Sequence, residues 1–421
     1  MSGKKRKKIT FFSVLLTIIE TILLACVAAI LIYVYYVRIS QARHPAADAV
    51  QRGTDSSYSI SESIPAPEFS AEPAVLSTPE PTPEPTPAPT PEPQPEYFTL
   101  SFIGDNTLKA LKNFEYSEYG LDMKVGDDYA YPYCNTVDYF SNDEFTLANL
   151  ECSFSEDSLA YDYTATTFPL LAKPAYVNIL LEGGVDFVTM ANNHTMDFFT
   201  TGVEHTQAVL DEAGLPYGYE NDGKIITTPN GLKLGIWTAG NDLLPNKDKA
   251  VAGVQQLRAD GADIVICMFH WGQELYYTPN DNQTILAHAC IDAGADIVYG
   301  SHPHCLQPVE VYNGKLIMYS LGNWVFGGST SPSDCDTAII QVTIKRDVDG
   351  SISYDGFDLI PCCVSSDIDA ANAKAASYND YCPTPYEEGT EAYDRAMSKL
   401  KGTYEALSQG ADYSAYYASW G

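Results

Sequence analysis

Hydrophobic and polar positions divide the chain into three regimes. From Phe11 to Val37 an apolar run is broken only by Glu20 and a few small polar residues. This run exceeds the roughly 20 residues that span a bilayer and the 7–15 of a secretory signal core. Lys4, Lys5, Arg6, Lys7 and Lys8 precede it, and Tyr33, Tyr35 and Tyr36 cluster at its far end. The expected element is one transmembrane signal anchor over 11–37, with residues 1–10 in the cytoplasm and the remainder outside a bacterial cell. A cleaved signal is the competing reading, but no convincing A-x-A site follows the run. Residues 38–96 are a disordered Pro/Thr/Glu-rich linker. Its repeat from Thr78 to Glu96 favours polyproline II, and at about 3.1 Å per residue the segment reaches on the order of 150 Å.

From Tyr97 the pattern becomes short strands alternating with helical stretches, the mark of an α/β domain, expected over 97–365. Five strand-like runs end in polar side chains. FTLSFIG ends at Asp105, EFTLANLE at Asn149 and Glu151, and VDFVTMANNH at Asn192, Asn193 and His194. ADIVICMFHWG ends at His270 and Trp271, and ADIVYGSHPH at His302 and His304. The carboxyl ends of strands are where sites assemble in α/β sheets. Pro303 pushes His302 toward extended backbone, so His302 and His304 are expected on one side of one strand end.

Between the strands, Thr200 or Thr201 is the expected cap of a helix carrying Val203, Thr206 and Leu210 and ended by Gly214. Asn282–Ala293 is a second helix, ended by Gly294. Strands at Thr337–Asp347 and 351–361 are expected to complete a second sheet packed on the first. A helix over Pro385–Gln409 and a Tyr-rich tail form an extension, residues 366–421, packed on the domain. His205 and His288 fall mid-helix and read as surface or structural residues.

Charge narrows the partners. The formal net charge is −31, and residues beyond 96 carry 16 basic against 45 acidic side chains, so nucleic acid is excluded as a partner. Ten cysteines include no C-x-x-C pair, which removes zinc ribbons and thioredoxin-like motifs. Cys267 and Cys290 read as core thiols; Cys335, Cys362, Cys363 and Cys382 are disulfide candidates with open connectivity.

GDNTL, NLE, ANNHTMD, FHWGQE, GADIVYGSHPHCLQPVE and YSLGNWVF, in this order, resemble the CapA-type bacterial capsule-synthesis proteins over roughly Thr99 to Val342. The resemblance implies a role in poly-γ-glutamate capsule formation. It also implies a fold similar to calcineurin-like metallophosphoesterases, a four-layer αββα sandwich. One or two divalent ions (Mn, Fe, Zn or Mg) would be held by Asp105, Glu151, Asn193, His270, His302 and His304. His194 would be the catalytic acid, and Asn149, Asn192, Trp271, Glu274 and Asn323 would contact substrate or support the ligands. Capsule polymer and other membrane capsule-synthesis proteins would be the partners. The D-x-H motif of the phosphoesterases is here Asp105-Asn106-Thr107, and Glu151 replaces the usual second aspartate. A metal-dependent hydrolase of a phosphoester is the first reading. A non-catalytic binding or scaffold component of a polymer export complex is the second.

Overall fold

The computed structural model describes residues 93–156, 168–240 and 247–404. The apolar run at 11–37, nearly all of the linker and the Tyr-rich tail lie outside the described residues. Among the described residues no helix is long and apolar enough to cross a membrane.

Two sheets form the body. The first holds β1 (Glu96–Thr107), β2 (Phe145–Leu150), β5 (Phe187–Thr189), β6 (Tyr217–Gly218), β13 (Asn323–Phe326), β14 (Asp336–Arg346), β15 (Ile352–Cys363) and β16 (Thr384–Pro385). Its order is β16-β15-β14-β1-β2-β5-β6, with β13 alongside the end of β1. The second holds β7 (Asp222–Thr227), β8 (Lys233–Ala239), β9 (Ile264–His270), β10 (Ile297–Ser301), β11 (Val309–Tyr312) and β12 (Lys315–Met318), ordered β11-β12-β10-β9-β8-β7. A small parallel pair, β3 (Ser153–Phe154) and β4 (Leu171–Ala172), stands apart.

The two-residue alternation of side chains sets the layers. In β9, Ile264, Ile266 and Met268 join the core between the sheets, while Val265, Cys267 and Phe269 face outward. Phe98, Leu100 and Phe102 of β1 meet them from the other side, and the rings of Phe102 and Tyr299 are 6.0 Å apart. Each such side chain fully buried contributes about 1.5–3 kcal/mol. The outer face of the first sheet is covered by α1 (Phe199–Ala213) through Val203 and Leu210. The outer face of the second is covered by α2 (Lys247–Ala259) and α3 (Asp281–Asp292) through Val254, Leu257, Leu286 and Cys290. The order is helix, sheet, sheet, helix, the four-layer arrangement that the family resemblance implies.

Several local expectations change. Helix α1 is preceded by Phe198 rather than capped by Thr200 or Thr201, though Gly214 ends it in the left-handed region. Helix α3 opens on a capping box in which Asn280 and Gln283 satisfy each other's backbone N–H. Strands β14 and β15, expected in the second sheet, extend the first. β14 runs antiparallel to β1 from Glu96↔Arg346 to Phe102↔Ile340, covering an edge that would otherwise present unpaired N–H and C=O groups. The expected helix over 385–409 is shorter. Thr384 and Pro385 pair with β15, and α4 (Glu391–Leu400) starts at Thr390, whose hydroxyl accepts from Tyr393 N–H. Ala392, Ala396 and Leu400 of α4 enter the core.

Helix α4 is pinned by a buried ion network. Lys399, 2 % exposed, places Nζ 2.7 Å from both oxygens of Asp334 and from Oδ2 of Asp336, while Arg395 Nε donates to Asp336 Oδ2 at 2.8 Å. Burial opposes the ammonium, but the two carboxylates outweigh it and hold the Lys399 pKa above its ordinary value. Lys399→Met leaves buried carboxylate charge uncompensated and is expected to destabilise the protein by about 3–5 kcal/mol, measured by urea unfolding.

One close backbone approach also constrains the sequence. A Cβ on Gly104 would lie 2.2 Å from the carbonyl oxygen of Gly322, where β1 packs beside the chain entering β13. Backbone cannot swing aside as a flexible side chain can. Gly104→Ala is expected to cost about 1–3 kcal/mol, read as a lower midpoint of thermal unfolding.

Candidate metal centre

The alternation that builds the core also delivers the polar side chains. Phe145 and Leu147 of β2 face the gap between the sheets, and the same parity continues to Asn149 and Glu151. Ile264, Ile266 and Met268 of β9 lead to His270; Ile297 and Tyr299 of β10 lead to Ser301. The apolar core ends where the strands end, and the next inward position is polar in each. Beyond β10 the backbone departs from expectation: His302 has φ +98° and His304 φ +53°, so neither is extended. These sparsely populated conformations cost of order 1–3 kcal/mol each and cluster at functional sites. They still bring the two imidazoles together, with ring centroids 6.1 Å apart.

Glu151, His302 and His304 each present a ligand atom within 4.8 Å of the others. Asp105 is fully buried; its Oδ1 accepts from Asn149 Nδ2 at 2.9 Å, and its Oδ2 accepts from His302 N–H at 3.3 Å. His304 Nδ1 lies 3.2 Å from Asp105 Oδ2, and His304 Nε2 lies 3.8 Å from Glu151 Oε1. His270 Nε2 stands 3.5 Å from Glu151 Oε1 and 2.7 Å from Asn193 Oδ1. The six expected ligands therefore meet in one place. Glu151 Oε1 and His302 Nδ1 are buried without a hydrogen-bond partner. Buried lone pairs left unsatisfied are costly, and a cation relieves that cost. The carboxylate, amide and imidazole donors suit Mn, Fe, Zn or Mg, so the residues present fit a divalent ion.

The electrostatics follow from crowding. Burial pushes Glu151 up, and burial together with the neighbouring imidazoles lowers His270 well below its ordinary range. Burial likewise lowers His302, with His304 adding to the effect. Burial also opposes protonation of His304, but Glu151 and Asp105 outweigh it and raise its pKa to about 9.

A cleft of about 370 Å³ opens onto this cluster, lined by Glu151, Asn193, His194, Glu274 and His304 and walled by Leu111, Phe168, Leu170 and Phe326. His194 is oriented by Asp197, whose Oδ2 lies 2.8 Å from His194 Nδ1 and also accepts from Leu170 N–H at 2.8 Å. Burial lowers the His194 pKa, but the Asp197 hydrogen bond and the charges of Glu151 and Asp197 together outweigh it and raise the pKa above its ordinary value. Asp197 was not among the residues singled out in the sequence; its signal is the His-x-x-Asp spacing within ANNHTMD.

Supporting residues divide sharply. Asn192 Nδ2 donates to Leu150 O and to Asn149 Oδ1, tying the chain after β5 to the end of β2. Asn323 Nδ2 donates to His304 O, and Glu274 is exposed on the cleft. Trp271 does not reach the cleft. Following the outward parity of Phe269, it stacks on that ring at 5.0 Å and donates from Nε1 to Tyr319 O in the core under the helices. Asn106 and Thr107 are wholly buried; Asn106 accepts from Tyr133 OH and Thr107 donates to Glu151 Oε2. His205 and His288 are structural: His205 bonds Ser155 Oγ, and His288 stacks on Tyr312 beside Glu310. A second acidic group, Asp334, Cys335 and Asp336, already encloses the Lys399 ammonium, which occupies the position a metal would need.

Facing sheets with a histidine–carboxylate cluster at their strand ends define a class: layered α/β proteins with a candidate divalent-metal centre. The profile of the family described as bacterial capsule synthesis protein PGA_cap matches residues 99–241 and 220–328, and the chain belongs to that family. It is 31% identical over 286 residues to the PGA biosynthesis protein CapA of Bacillus subtilis (strain 168), covering 63% of this chain and 72% of that protein. It is 30% identical over 274 residues to the capsule biosynthesis protein CapA of Bacillus anthracis, covering 59% of this chain and 64% of that protein. Among solved structures it is similar to the Haemophilus influenzae NAD nucleotidase NadN, with a TM-score of 0.37, 12% identity and coverage of 77% of this chain and 66% of that one. A similarity at that score says nothing about activity.

Proposed function

We propose that this chain acts in capsule (poly-γ-glutamate) biosynthesis or export as a membrane-anchored, extracytoplasmic hydrolase of a phosphoester. Residues 11–37 anchor it, and the linker holds the domain off the membrane, where it meets capsule polymer and other membrane capsule-synthesis proteins. The observation that carries the reading is the convergence of Asp105, Glu151, Asn193, His270, His302 and His304, with buried lone pairs on Glu151 and His302 left unsatisfied.

In this reading those six side chains would hold one or two divalent ions, which when bound would supply Lewis acidity toward a phosphoryl oxygen and would acidify a water. Asn149 and Asn192 fix the Asp105 and Glu151 strand ends through their hydrogen bonds. Ser301 Oγ, 3.0 Å from His270 Nδ1, and Asn149 Nδ2 set the ring of His270. With Nδ1 of His194 engaged by Asp197, Nε2 is the nitrogen that holds a proton for the leaving oxygen. Glu274 is placed to repel a second negative charge at the cleft mouth.

The second reading, a non-catalytic scaffold, is favoured by the enclosed Asn106 and Thr107, which leave the end of β1 with Asp105 alone. Two measurements separate them. The full chain, purified in detergent with Mn²⁺, should carry bound metal and release nitrophenolate from bis(p-nitrophenyl) phosphate. An absence of turnover with Mn, Fe, Zn and Mg, or equal turnover in His302→Ala, would sink the hydrolase. In cells lacking the protein, His302→Ala should fail to restore surface polymer; full restoration favours the scaffold.

A further inference from the structure

Cys134 and Cys382 lie 248 positions apart in sequence, yet their sulfurs are 3.1 Å apart. Cys134 is exposed and Cys382 is buried. The segments carrying them are already fastened. Asn135 Nδ2 donates to Thr384 Oγ1 at 2.9 Å, and Tyr381 OH donates to Tyr119 O at 2.8 Å. Two other thiol pairs face each other, Cys335 with Cys363 and Cys267 with Cys290, but all four are buried and closed to a reagent. Among the described residues the pair at Cys134 alone combines proximity, a fixed setting and an open side.

We infer that Cys134 and Cys382 form a covalent modification site: an acquired disulfide that fastens the C-terminal segment to the residues buttressing β1. The chemistry is thiol–disulfide exchange with a small-molecule disulfide such as oxidised glutathione. The exposed Cys134 thiolate attacks one sulfur of the reagent, forming a mixed disulfide and expelling one thiol. Cys382, losing its proton, attacks Cys134 Sγ and expels the second thiol. One reagent disulfide is reduced to two thiols, which take up the two protons, and the protein is oxidised by two electrons. The sulfurs need to move by about 1 Å.

The link reaches toward the metal cradle. Tyr133, adjacent to Cys134, donates through its hydroxyl to Asn106 Oδ1 at 2.8 Å, next to Asp105. The disulfide therefore fixes the short helical turn at Tyr131–Tyr133 from a second side. Closing so long a loop removes many unfolded conformations, so the gain lies mainly in the unfolded chain. The site does not depend on the hydrolase reading, because it needs no metal and no substrate.

The test uses the full chain in detergent, incubated with oxidised glutathione and then alkylated under denaturing conditions. Digestion without reductant should yield one peptide pair joined through Cys134 and Cys382, two hydrogens lighter than the separate thiol peptides. The unfolding midpoint of the oxidised protein should exceed that of the reduced protein by roughly 5 °C, and Cys134→Ser should abolish the difference. Recovery of both cysteines as alkylated thiols after oxidation overturns the inference. So does glutathione retained on Cys134, or a redox-dependent midpoint that persists in Cys134→Ser.

Discussion

Glu151→Gln is expected to lower divalent-ion affinity by more than about 100-fold, while the metal-free protein becomes no less stable. Replacing a partner behind a ligand costs about 10–100-fold, and Glu151 sits in the cluster itself. The opposite sign in stability follows from its surroundings. Glu151 is 1 % exposed, burial raises its pKa, and its Oε1 has no hydrogen-bond partner. Removing a buried, half-satisfied charge relieves a cost, so the unfolding free energy in EDTA should stay level or rise by up to about 1 kcal/mol. Ion content by mass spectrometry and unfolding with and without EDTA check both halves. A variant that retains ion as well as the parent, or loses stability in EDTA, would show that Glu151 serves packing instead. Sites held at a cost to the fold are those selection keeps for a ligand.

His194→Ala should lower turnover of the nitrophenyl ester by about 10²–10⁴ while leaving ion content unchanged. The separation of the two effects is the test. His194 lines the cleft, but its Nδ1 is committed to Asp197 rather than to the cluster. Asp197→Asn should cause a smaller loss in kcat with ion content again intact, because Asn keeps an oxygen for Leu170 N–H but no longer fixes the imidazole tautomer. If His194→Ala instead released the ion, its place would be among the ligands and a different proton donor would be required.

Much of this site was legible before any coordinates. Strands with a period of two reveal which side chains share a face, so the inward parity of Phe145, Leu147, Asn149 and Glu151 is visible in the letters. The same parity places Trp271 outward, opposite His270. Trp271, which the family resemblance groups with the site, lies instead in the core under the helices. Asp197 carries no such mark, because a carboxylate in a loop has no periodic signal. Its role depends on which imidazole it faces.

The sequence alone determined the layered α/β class, the helices ended by Gly214 and Gly294, and the strand ends from which the site is built. These rest on local rules: side-chain alternation, turn residues and the hydrophobic period. Tertiary structure decided that β14 pairs with β1 and β15 with β14, that His302 and His304 turn through positive φ, and that Cys134 rather than another thiol lies against Cys382. Each depends on contacts between residues distant in the chain. An open sheet edge selects its partner from everything the fold brings near it, and a strained loop persists only where its surroundings hold it.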